Sequence, residues 1–167
     1  MKKKLFYFGL IFLALLMQSS FLPGLISPGA MGDAVLMLVL AMAVLDGFAL
    51  ALSWAIIAGA LYDLASFTPL GQHVIIFLLL IYAVSFFSRR LSVEIKGVGM
   101  LLLVFFVIAA TLISKSLFIF FLMLGSQAVN FFQVFGGFKD FIFQVGGNAV
   151  LFFLWLSALK KFKKTFL

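Results

Sequence analysis

Asp63, Ser66 and His73 lie close together in the stretch YDLASFTPLGQH, which runs from Tyr62 to His73. An acid, a hydroxyl and an imidazole are the parts of a nucleophilic triad. A His–Asp pair is also the seed of a proton relay or half of a metal site. Each reading demands more than proximity. A triad needs its nucleophile placed against the base. A metal needs further ligands, yet His73 is the only histidine and the chain has no cysteine. The same residues have a plainer use as a turn between two helices. Thr68 is placed to cap a following helix, and Pro69 at its first position loses no needed hydrogen bond. Gly71 leaves room for a neighbouring backbone or side chain. The expectation is interfacial hydrogen bonding, with no catalytic residue, no cofactor and no metal.

The elements that position this stretch follow from composition. Of 167 residues, 66% are hydrophobic and 10% charged, against about half and a quarter in soluble domains. The fold class is therefore all-α: a polytopic membrane helix bundle of about six transmembrane helices at roughly 20 residues each. Residues 1–167 read as a single integral membrane domain. The net charge is +7, with basic residues gathered at the ends of apolar runs. That pattern sets topology and attracts anionic lipid; it does not mark a nucleic-acid binder.

Lys2, Lys3 and Lys4 precede a first apolar helix, Leu5 to Leu22, which lacks a clear Ala-x-Ala cleavage site and is kept as an anchor. Pro23, Gly24, Pro28 and Gly29 break the chain into a loop. Asp33 is a helix N-cap before Ala34–Leu45. One straight helix from Ala34 to Leu64 would be about 45 Å long and would bury Asp46 at mid-membrane. Two shorter helices turning at Asp46-Gly47 avoid both problems, either as tilted spans or as a re-entrant hairpin. A fourth helix runs from His73 or Val74 to Phe87, closed by Arg89 and Arg90. A fifth covers Val98–Leu124 and a sixth Phe141–Leu159, ending at Lys160, Lys161, Lys163 and Lys164. With the N-terminus inside, the basic clusters all fall on the cytoplasmic side, and only Lys139 lies outside. Both termini are then cytoplasmic, and the opening stretch is at the outer face.

Ala51, Ala55, Gly59 and Asp63 are spaced by four on the third helix. A row of small residues lets helices approach closely in lipid, either against a partner or within the bundle. Lys115 is the one basic residue inside a span. It either snorkels to the headgroups or forms a charge pair with Asp63 or Asp33. Gly136-Gly137 and Gly146-Gly147 read as breaks between elements.

From Gly32 to Leu91 the chain resembles the MreD family of rod shape-determining membrane proteins. The residues that carry the likeness are Asp33, Gly59-x-x-x-Asp63 and Pro69-Leu70-Gly71, then an apolar helix closed by Arg89-Arg90. Members often carry Pro where this chain has Gly32. The resemblance implies a non-enzymatic inner-membrane component of the bacterial cell-elongation machinery, acting as a scaffold in rod shape and peptidoglycan synthesis. It also implies partners: an MreC-like bitopic protein, and with it a RodA-type glycosyltransferase, a class B penicillin-binding protein and the MreB filament. The fold it implies is similar to substrate-binding subunits of energy-coupling-factor vitamin transporters. A vitamin-binding subunit is the alternative function. It ranks second because the first helix, LFYFGLIFLALLMQSSFL, has no Ala-x-x-x-Ala pair, the small-residue contact motif that those subunits typically carry there.

Overall fold

The computed structural model describes residues 2–25, 30–90, 98–124 and 138–166. Apart from the short connections at 31–33, 47 and 67–71, these residues are helical. Helix α1 spans Lys2–Leu16 and continues through a π-helical turn, Met17–Phe21, into a short helix, Leu22–Leu25. Then come α2 (Ala34–Asp46), α3 (Phe48–Ser66), α4 (Gln72–Arg90), α5 (Val98–Leu124) and α6 (Phe138–Phe166). Four helices are long and apolar enough to cross a membrane, and α2 and α4 are shorter apolar helices. This is the expected all-α bundle of about six helices.

Helix α2 is the axis of the bundle. It packs against α1, α3, α4 and α6, and every residue from Ala34 to Ala43 is buried. A helix that is apolar all round belongs inside protein. Its backbone ends must then be satisfied by the protein itself, because lipid supplies no hydrogen bonds. Asp33 caps it as the sequence suggested, its carboxylate accepting from the Leu36 N–H at 2.9 Å. Three side chains from other elements complete the end. The Asp33 N–H donates to Asn148 Oδ1 at 2.7 Å, the Ala34 N–H donates to Gln18 Oε1 at 2.8 Å, and Trp155 Nε1 donates to the Ala34 carbonyl at 3.0 Å. Asn148 in turn donates to Thr111 Oγ1 at 2.8 Å. One polar chain thus ties α1, α2, α5 and α6 together.

At its other end α2 stops at Asp46, as expected. Gly47 has φ +79°, a left-handed value that glycine adopts freely, and α3 begins at once. Asp46 is paired there with Lys163 at 2.6 Å and Lys3 at 3.4 Å, and it accepts from the Tyr7 hydroxyl at 2.7 Å. The first and last helices are thereby tied to the α2–α3 turn, with Phe6 stacked on Phe162 beside them. Helix α2 runs from the Asp33 end of the bundle to this lysine-rich end. Helix α3 then returns from this end to the Asp33 end, antiparallel to α2, so that Asp33 and Tyr62 line one cavity.

Two expectations about breaks are corrected. Pro23 and Gly24 lie inside helix, and the chain absorbs the missing Pro23 N–H through the preceding π turn, where the Leu22 N–H reaches the Met17 carbonyl. Gly146-Gly147 lies within α6, which is unbroken from Phe138 and carries the terminal lysines up to Lys164. A break there would leave backbone groups unpaired in lipid. Pro28, Gly29 and Gly136-Gly137 fall outside the described residues.

Candidate functional site

Asp63 sits near the C-terminal end of α3, fully buried, and its carboxylate organises the whole α3–α4 connection. Oδ2 accepts from the Gly71 N–H at 2.7 Å. Oδ1 accepts from the His73 N–H at 3.0 Å, from Thr68 Oγ1 at 3.0 Å, and pairs with His73 Nδ1 at 2.6 Å. The Asp63 backbone carbonyl also takes the N–H groups of Phe67 and Thr68. The start of α4 is therefore capped by a carboxylate from the preceding helix.

This corrects two local expectations. Thr68 does not cap α4, which begins at Gln72; its hydroxyl serves Asp63 instead. A buried charged acceptor reaching four donors outcompetes a local hydroxyl. Gly71 does not admit a close neighbour, since a Cβ there would meet nothing within 4 Å; it is glycine because φ is +97°. The close approach occurs at Gly59, where a Cβ would lie 2.7 Å from the Val74 backbone.

Ala51, Ala55, Gly59 and Asp63 are all buried. At Gly59 and Asp63 the row faces α4 of the same chain. Pro69 and Leu70 form the outer surface of the turn, with Leu70 72% exposed. Phe67 beside them has φ +55° and closes α3 in the left-handed conformation. Ser66 donates to the Tyr62 carbonyl at 2.6 Å and lies 3.2 Å from Thr68 Oγ1. It is thus engaged with the turn, while His73 Nδ1 is engaged with Asp63. Thr68 Oγ1 also lies 3.4 Å from His73 Nδ1, so hydroxyls, imidazole and carboxylate form one network that fixes the turn.

Behind the turn lies a polar cavity of about 310 Å³. The π turn after α1 contributes Gln18 to it, α3 Tyr62, α4 His73, α5 Ser114 and Lys115, and α6 Gln144, with Asp33 at the start of α2. The Tyr62 ring packs edge-on against the His73 imidazole, 4.3 Å between centroids. Among the described residues, Gln144 Oε1 is buried without a hydrogen-bond partner. The cavity is recessed: Lys115 lies about 14 Å before the end of α5, and Gln144 about 9 Å inside the start of α6. Lys115 stands 6.0 Å from the Phe141 ring and feels the charge of Asp140. Its described contacts are with α6, whereas those of Asp63 are with the α3–α4 turn.

Asp33 is only partly accessible, and it lines this cavity. Burial raises its carboxyl above the ordinary value of 3.8, opposed by the Leu36 N–H, the His73 charge and the Val35 N–H.

Sequence reasoning singled out Asp33, Asp63, His73 and Lys115 and missed Gln18, Gln144 and Asn148. The missed residues share one legible signal, a carboxamide inside an apolar run, which lipid tolerates only where protein satisfies it.

No curated protein and no solved structure matches the chain. Residues 2–163 match the family described as rod shape-determining protein MreD. That match spans nearly the whole chain, well beyond the Gly32–Leu91 segment whose motifs resembled the family. The chain, a multi-pass membrane protein concerned with cell shape, belongs to the MreD family of rod shape-determining proteins.

Proposed function

We propose that the protein is a non-enzymatic scaffold of the cell-elongation machinery in the inner membrane, with both termini cytoplasmic. It binds an MreC-like bitopic protein and through it acts with a RodA-type glycosyltransferase, a class B penicillin-binding protein and MreB. The carrying observation is how the polar residues are used. Asp63 and His73 hold two helices together, and what remains is a fixed, concave, polar surface recessed at the end opposite the Lys3–Asp46–Lys163 cluster. Such a surface suits the membrane-proximal segment of a protein partner, with Lys115 and Gln144 in its wall. The side assignment rests on the lysines gathered at the other end.

The test is complementation. Ser114→Trp places an indole in the cavity and is expected to yield folded protein that no longer captures the MreC-like partner and no longer restores rod shape to depleted cells. Full capture and normal rods with this variant would contradict the reading. A cavity of 310 Å³ also reaches the lower end of small-molecule sites, which favours a vitamin-binding subunit as the second reading. Tight vitamin binding by the purified protein, unaffected by the partner, would reverse the order.

A further inference from the structure

The polar cavity contains an acid that the fold leaves without a cation of its own. Asp33 lines it, with Oδ1 accepting from the Leu36 N–H at 2.9 Å. Among the described residues Asp33 forms no ion pair, whereas Asp46 has two lysines and Asp63 has His73. Burial raises the Asp33 carboxyl, and the cationic group that opposes this is His73. His73 is itself held by Asp63 at 2.6 Å, so one imidazole stands between two acids. A buried carboxylate without a full counter-charge is unfavourable until a cation reaches it.

The rest of the wall fits a cation. Gln144 Oε1 is an acceptor, buried and without a hydrogen-bond partner among the described residues. Tyr62 and Phe118 bring aromatic rings to the same cavity, and the face of a ring attracts positive charge. Lys115 shares the wall, but it stands 6.0 Å from the Phe141 ring and is drawn to Asp140, both on α6. A guanidinium carries five donors in one plane and can serve a carboxylate, a carboxamide oxygen and a ring face together. An ammonium, with three donors on one point charge, matches the set less fully. A cavity of about 310 Å³ admits either group with its stem.

We propose that the partner's membrane-proximal segment, whose entry into the cavity is the reading on which this rests, places a basic side chain there, an arginine before a lysine, paired with Asp33. Binding of the purified MreC-like partner to the full-length protein is measured in one detergent. Asp33→Asn keeps a capping oxygen for α2 and removes the charge. It should weaken binding by about tenfold or more, the effect of losing a hydrogen-bonded charge pair. Each Arg and Lys of the partner's segment is then replaced by Gln and tested against the unaltered protein, which keeps the test independent of how Asp33→Asn folds. One of these changes should also weaken binding about tenfold, and should weaken it little further when combined with Asp33→Asn.

Unchanged binding by Asp33→Asn would overturn the proposal, and so would a segment in which no basic position matters. Binding lost to a chelator and restored by magnesium would give Asp33 to a metal ion and also overturn it. Ser114→Trp separates this proposal from the wider reading. If that variant blocks capture while Asp33→Asn does not, a segment enters the cavity without a basic group at Asp33, and only the present proposal falls. If Ser114→Trp captures the partner normally, both fall.

Discussion

Replacing Asp63 by Ala removes an acceptor from four donors at once, and the loss can be compared with that of a single donor. The Gly71 and His73 N–H groups and His73 Nδ1 would each lose a partner in a buried or partly buried site. An orphaned buried donor costs about 1–3 kcal/mol. The Gly71 N–H is the easiest for water to reach, and the turn can relax, so the expected total is about 3–5 kcal/mol. Thr68→Ala removes one donor from a carboxylate that keeps three, and should cost about 0.5 kcal/mol. Were Thr68 the cap of α4, its loss would cost about 1 kcal/mol and that of Asp63 less. Both variants can be purified in the same detergent and unfolded with increasing SDS, following helix content by circular dichroism. Equal destabilisation by the two changes would refute the claim that Asp63 caps α4.

Gly59→Ala places a methyl 2.7 Å from the Val74 backbone and should destabilise by about 1–3 kcal/mol in the same assay, whereas Ile57→Ala on the exposed face should change little. Lys163→Gln should cost more than Lys3→Gln, because Lys163 lies closer to Asp46 and also donates to the Leu45 carbonyl at 2.9 Å; paired melting curves decide it. Asp33 gives a pH dependence of known sign. Its folded carboxyl titrates above the ordinary 3.8, so its contribution is fully present below that value and is lost as pH rises through the folded value. Asp33→Asn retains a capping oxygen and should flatten that loss, seen as melting temperature against pH.

The division of Ala34–Ser66 into two helices was legible because a single rod would be too long and would strand Asp46. The Asp33 cap was legible because capping is local. What escaped the sequence depends on contacts between elements. Asp63 reaches forward to α4 and displaces Thr68 from the role its position suggests. The two glycines exchanged reasons: Gly71 serves a backbone angle and Gly59 a close approach. Gly146 and Gly147 read as a break by composition, yet α6 stays intact there, and Asn148 and Trp155 anchor it to α2. Gln18, Gln144 and Asn148 announce polar demand within apolar runs, but only the fold shows that Asn148 and Gln18 meet the end of α2 while Gln144 faces the cavity.

The central claim is that the recessed cavity between α1, α3, α4, α5 and α6 receives the MreC-like partner. A photoreactive amino acid at Gln144, inside the cavity, tests it most directly when compared with one at Ile142 on the exposed face. The account predicts a crosslink to the partner from position 144 in growing cells and none from 142. A crosslink from 142 with none from 144 would contradict it.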